Sequence, residues 1–228
     1  MDITLHYIEK GNGTPLILLH GNGEDYTYFT HQIEFFSKKY RVYALDTRGH
    51  GKSARGNSPF TIRQFAKDLY DFMEEHQIAE ADILGFSDGG NIALCFALRY
   101  PEKVKHLILN GANLDPKGVK AYVQIPIELG YRIASLFAKK SQEAQKNAEM
   151  LGLMVNDPNI KPEELDCLKM PILVIAGTKD MIKESHTRLI YSRLSNAKLV
   201  LIEGDHFIAN KKAEEFNRAV ELFIESDA

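Results

Sequence analysis

The stretch Ile83-Leu84-Gly85-Phe86-Ser87-Asp88-Gly89-Gly90-Asn91-Ile92-Ala93-Leu94 decides how the whole chain is read. It opens as a short apolar strand and closes as an apolar helix, and between them stands the pattern G-x-S-x-G. A serine in so tight a strand-to-helix turn is held in a strained backbone geometry, and the residues beside it must lack bulk. Gly85 and Gly89 meet that need, and Gly90 lets the helix pack closely. The turn lifts the Ser87 hydroxyl above the end of its strand. It also aims the positive end of a helix at any negative charge that develops there. Ser87 is the candidate nucleophile.

Working outward, short apolar runs recur at residues 15–20, 41–46, 106–110, 171–176 and 198–202. Near-continuous apolarity, in place of alternation, marks strands covered on both faces by helices. Residues 3–8 alternate more and predict an antiparallel edge strand that turns at Gly11-Asn12-Gly13. Helical spacing puts Ile62, Phe65, Ala66, Leu69, Phe72 and Met73 on one face of a helix over 61–75, with Thr61 as N-cap. Phe216, Ala219, Val220 and Phe223 do the same over 213–224. Alternating strand and helix predict the α/β class, with a mostly parallel twisted sheet and helices on both faces. From 113 to 165 no strand pattern occurs, only helical segments, the first interrupted by Pro126 and Gly130. That interval reads as a short helical cap inserted into a single domain whose core is 1–112 and 166–228.

The composition narrows the function. The chain has 228 residues, with 28 basic and 31 acidic side chains and a net charge of −3. This is the length of one α/β domain. The balance leaves no basic footprint for nucleic acid and no chain-wide excess of cations for an anionic membrane, so neither partner is expected. No run approaches the roughly 20 apolar residues of a membrane span. Cys95 and Cys167 have no metal-ligand spacing, so no metal is expected, and Cys95 lies in an apolar run as a buried small hydrophobe. No basic-then-apolar leader opens the chain, which predicts a cytoplasmic protein.

A serine hydroxyl needs a base, and the base needs an orienting acid. Gly177-Thr178-Lys179-Asp180 follows the run at 171–176, and Glu203-Gly204-Asp205-His206-Phe207 follows the run at 198–202. Parallel strands bring their carboxyl ends to one rim, where ligand sites of open α/β sheets lie. Ser87, Asp180 and His206 can therefore converge. Asp205 reads as a loop cap and Asp115 as an alternative acid. His20-Gly21-Asn22-Gly23, after the run at 15–20, leaves backbone bare. In an acyl-transfer site the N–H groups of Asn22 and Asp88 would form the oxyanion hole. Gly21-Asn22-Gly23 followed by Asp46 also suggests a dinucleotide-binding turn, but Tyr26 stands where the third glycine is needed.

On these residues, together with Asp46-Thr47-Arg48-Gly49-His50-Gly51-Lys52-Ser53 and Pro101-Glu102-Lys103-Val104, the chain resembles the small serine hydrolases of the α/β-hydrolase superfamily. The resemblance covers essentially everything but the cap. Its Ser-Asp-Gly-Gly elbow is similar to that of the valacyclovir-hydrolase-like esterases. The resemblance implies Ser87 as nucleophile, His206 as base and Asp180 as its partner. The expected activity is cofactor-free hydrolysis of small acyl esters through an acyl-enzyme. An amidase or a carbon–carbon bond hydrolase on the same triad is the alternative, and a ligand receptor on the hydrolase fold is the alternative of a different class. A serine nucleophile speaks against epoxide hydrolases and dehalogenases, and the absence of tryptophan weakens the carbon–carbon reading. The partner is a small-molecule substrate, with Tyr122, Ile125, Leu129, Met150, Met154, Ile182 and Phe207 as candidate pocket lining. The sequence is neutral on oligomeric state.

Overall fold

The apolar runs become the strands of one seven-stranded sheet in the computed structural model, which describes residues 2–226. The strands are β1 (Tyr7–Lys10), β2 (Pro15–Leu19), β3 (Arg41–Leu45), β4 (Ala81–Phe86), β5 (Val104–Asn110), β6 (Ile172–Gly177) and β7 (Ala197–Ile202). Their spatial order is β1-β3-β2-β4-β5-β6-β7, and every pairing is parallel except that of β1 with β3. Helices α1 (Thr30–Phe36), α2 (Ile62–Glu75), α3 (Asp88–Arg99), α4 (Ala121–Phe137), α5 (Gln142–Asn156), α6 (Glu184–Arg193), α7 (Ile208–Lys211) and α8 (Ala213–Glu225) complete the chain.

The unbroken apolarity of the strands follows from two cores, one on each face of the sheet. In β2, Ile17 and Leu19 enter a cluster with Phe65, Phe72 and Phe96 from α2 and α3. The alternate residues Leu16 and Leu18 enter a second cluster with Phe36 of α1 and Phe216 and Val220 of α8. Each side chain so enclosed contributes about 1.5–3 kcal/mol. The expected apolar face of α2 is buried residue for residue, and the Thr61 side chain caps it by accepting from Gln64 N at 3.2 Å.

Three expectations need correction. The edge strand is antiparallel, as read, but spans Tyr7–Lys10 and pairs with β3, with Asp46 N donating to His6 O at 2.9 Å beyond the regular ladder. Pro126 and Gly130 do not interrupt α4, which runs through both. Tyr122 and Pro126 lie on the exposed side, so the carbonyl that Pro126 leaves without a donor can be met by water. Gly130 sits where α4 crosses α5, and a Cβ there would stand 3.3 Å from Leu151 Cδ1. Finally, α4 turns outward the residues that were expected to line a pocket. Tyr122, Ile125 and Leu129 are 70%, 63% and 58% exposed, because α4 packs chiefly on α5 and presents its other face to it.

The segment after β3 is fixed by buried charge. Arg48 has no exposed surface; its Nε and Nη2 donate to the two oxygens of Asp68 at 2.7 and 2.8 Å, and Nη2 also reaches Asp2 at 2.6 Å. Removing one partner of such a pair strands an uncompensated charge in the interior. Asp46, also fully buried, accepts from Tyr26 N, Lys52 N and His6 Nδ1. It thereby ties the loop after β2 to the loop after β3. Among the described residues no helix is long and apolar enough to cross a membrane.

Candidate active site

Ser87 stands between β4 and α3 with φ 53° and ψ −120°, a left-handed backbone that non-glycine residues seldom adopt. Ser87 N donates to Asn110 O at 2.8 Å, and Ser87 O accepts from Asn91 N at 3.0 Å. The turn is possible because its neighbours carry no side chain. A Cβ on Gly85 would lie 2.2 Å from Gly89 O, and one on Gly89 would lie 1.9 Å from Leu19 O.

Asp180 and His206 meet at the same rim. His206 Nδ1 lies 2.7 Å from Asp180 Oδ1, which also accepts from Ile182 N at 2.8 Å. Both side chains are buried. The acid loop is braced against β7 and the histidine loop by Thr178 N to Ile202 O at 2.9 Å and Lys179 N to Gly204 O at 2.8 Å. Gly111, at φ +62°, closes β5 beneath the imidazole, and a Cβ there would come within 2.7 Å of His206 Cε1. Phe86, the residue before Ser87, sets its ring 4.7 Å from the imidazole and stacks at 4.3 Å on Tyr28. His206 Nε2 has no hydrogen-bond partner among the described residues. No hydrogen bond joins it to Ser87, a contact that in unliganded sites commonly tightens only when substrate binds. Asp205 caps its loop through Phe207 N at 2.9 Å, and Asp115 accepts from Lys117 N at 2.7 Å, so neither serves His206.

Sequence reading assigned Asn22 through its backbone amide alone. Its side chain does more. Asn22 Nδ2 donates to Asp88 Oδ2 at 2.9 Å and to Met150 O of α5 at 2.8 Å. One amide thus joins the loop after β2, the first turn of α3 and the helix above them. Asp88 also receives Asn91 Nδ2 at 3.4 Å, and Asn91 is paired with Asn113 at 3.1 Å. Burial pushes the Asp88 carboxyl up to about 6 against the Asn22 hydrogen bond, which lowers it. Glu24 was likewise missed. Its Oε2 accepts from Gly21 N at 3.0 Å and holds the backbone of the loop after β2, and burial raises its carboxyl to about 7. Asn91, a lone amide in an otherwise apolar helix, was the one sequence signal of this network.

Of the remaining expected lining residues, Ile182 is buried, Phe207 is 41% exposed, and Met150 and Met154 are half-buried. Met150 also borders a cavity of about 540 Å³ between the segment after β3 and α5, with Ser53, Arg55, Phe60, Gln145 and Lys146. Ser87, Asp180 and His206 are not among its walls. Arg55 crosses its edge to Glu149, making three contacts of 2.7–3.2 Å.

A strained serine at a strand-to-helix turn and a buried Asp–His pair on the same edge of a mostly parallel sheet define a hydrolase class, and the comparisons agree. The family model described as alpha/beta hydrolase fold matches residues 14–127, and the chain belongs to that family. Serine hydrolase BPHL of Mus musculus is 30% identical over 250 residues, covering 98% of this chain and 84% of the mouse protein. 3-Oxoadipate enol-lactonase 2 of Acinetobacter baylyi is 27% identical, covering 98% and 94%. The enol-lactonase structure from Burkholderia xenovorans superposes with a TM-score of 0.82 at 23% identity, over 98% of this chain and 97% of that one. The chain is an α/β-fold hydrolase.

Proposed function

We propose that this hydrolase is a carboxylesterase acting on small acyl esters, lactones included since a lactone is an internal ester. Ser87 Oγ attacks the acyl carbon as His206 Nε2 accepts its proton. The N–H groups of Asn22 and Asp88 receive the developing oxyanion, such donors being typically worth about 3–4 kcal/mol each in the transition state. The imidazolium, held and stabilised by Asp180, returns the proton to the departing alkoxide. Water then attacks the acyl carbon as its proton passes to the same histidine, and the imidazolium returns that proton to Ser87 Oγ as the acid departs. Every atom is balanced by substrate and water, so the cycle needs no cofactor or metal. Residues 113–165 act as the cap that shapes access, and residues 1–112 with 166–228 as the catalytic core.

The observation that carries this reading is the 2.7 Å Asp180–His206 hydrogen bond, buried on the rim that also bears strained Ser87. The Asn22–Asp88 bond supports the oxyanion assignment by tying together the two segments whose amides would form the hole. Steady-state turnover on a panel of short-chain p-nitrophenyl esters, lactones, amides and vinylogous diketones tests it. Esters and lactones are expected to turn over many times and Ser87→Ala to abolish it while circular dichroism is unchanged. Turnover confined to amides or diketones would move the bond class. Stoichiometric acylation without turnover would mark a receptor.

A further inference from the structure

We propose that α4 is a membrane-surface helix that seats the protein on anionic phospholipid. Nine large hydrophobic side chains are strongly exposed among the described residues, and six of them are Tyr122, Ile125, Leu129, Ile133, Leu136 and Phe137 of this one helix. Their spacing of three and four residues makes one continuous stripe on the face turned away from α5. A soluble surface seldom leaves so long an apolar stripe bare without a partner.

Charge selects the partner. The chain as a whole carries −3, yet between residues 117 and 140 Lys117, Lys120, Arg132, Lys139 and Lys140 oppose a single acid, Glu128. Glu128 is turned inward, accepting from the buried Gln124 Nε2 at 3.2 Å. None of these five cations forms an ion pair among the described residues. An exposed apolar stripe with cations beyond both of its ends can sink its side chains to the acyl boundary while the cations meet anionic headgroups. A second copy of the chain fits poorly. Antiparallel stripes would set Lys139 and Lys140 on Lys117 and Lys120 of the other copy, and parallel stripes would set like on like. The stripe is also a ridge, since α4 packs chiefly on α5 and turns the stripe away from it, and a ridge suits a deformable layer better than a shaped pocket. The whole-chain balance, which predicted no membrane partner, averages this segment away.

The test is sedimentation of the full chain with vesicles of phosphatidylcholine alone and of phosphatidylcholine mixed with phosphatidylglycerol. Binding to the mixed vesicles, weakened by salt and absent from phosphatidylcholine alone, is expected. Lys139→Glu with Lys140→Glu should weaken it by about tenfold or more. Ile133→Glu with Leu136→Glu should abolish it with the circular dichroism and thermal transition preserved, and hydrolysis of a water-soluble ester should be unchanged. Failure to bind the mixed vesicles, equal binding to both, or binding that survives both variants overturns the proposal. So does light scattering that finds a dimer which Ile133→Glu with Leu136→Glu converts to a monomer, since a second copy would then own the stripe. None of these readouts requires the esterase reading to hold.

Discussion

At Asp180 one carboxylate oxygen accepts both from His206 and from Ile182 N, so the residue orients the imidazole while its own loop holds it still. Asparagine at this position keeps the shape but offers the imidazole no charge and favours the wrong tautomer. Asp180→Asn is expected to lower kcat by roughly three to four orders of magnitude, the scale seen when the acid of a serine-protease triad is neutralised. Asp115→Asn keeps its turn cap, since the amide oxygen can still accept from Lys117 N, and is expected to stay within about threefold of the parent. Steady-state kinetics on one ester decides between the two carboxylates. A silent Asp180→Asn beside a crippled Asp115→Asn would reverse the assignment. These positions were legible in the sequence for a simple reason. Each follows an apolar run, and the ends of parallel strands share a rim, so strand order could bring Ser87, Asp180 and His206 to one edge, while the choice of Asp180 over Asp115 leaned on the family resemblance.

Between elements, the sequence had less to offer. Asn22 could be placed on the loop after β2, but its side chain spans to Asp88 and Met150, contacts far away in sequence that depend on where α5 comes to rest. Asn22→Ala removes both hydrogen bonds and leaves a buried carboxylate with fewer donors. A loss of about 1.5–3 kcal/mol of stability is expected from urea unfolding. Because the Asn22 bond holds the Asp88 carboxyl down, its loss should push that group above 6, and any limb of the pH–rate profile due to Asp88 should move to higher pH. A profile and a stability both unchanged would mean that Asn22 contributes only its backbone. The orientation of α4 was illegible for a related reason. Its inner residues Ile127, Tyr131 and Ala134 are as apolar as its outer Ile125, Leu129 and Ile133, so periodicity could define a helix but could not say which face α5 would cover. The two-faced strands raised no such ambiguity, because both of their faces are buried.

Over the whole molecule, buried titratable groups pull stability in opposite directions with pH. Burial holds His20 down to about 4 beside His50, so the folded chain stays neutral there while the unfolded chain takes up a proton below about 6.5; stability from this group is lost as pH falls. Glu24 works the other way. Its folded carboxyl is raised to about 7 by burial, against an ordinary value of 4.5, so between those values the folded chain binds more protons than the unfolded one. Its contribution is therefore favourable at the acid end and falls as pH rises through that window. Glu24→Gln isolates this effect, since the amide oxygen can still accept from Gly21 N and carries no charge to bury. Urea unfolding of parent and variant at about pH 5, near the acid edge of the window, and at about pH 8, roughly a unit above it, should show the variant gaining on the parent at the higher pH. The gain expected is about 1–2 kcal/mol once solvent screening of this half-buried group is allowed for. Equal differences at the two pH values would mean that Glu24 ionises as an ordinary surface carboxylate, and that the backbone of the loop after β2 is held by a charge the fold tolerates without cost.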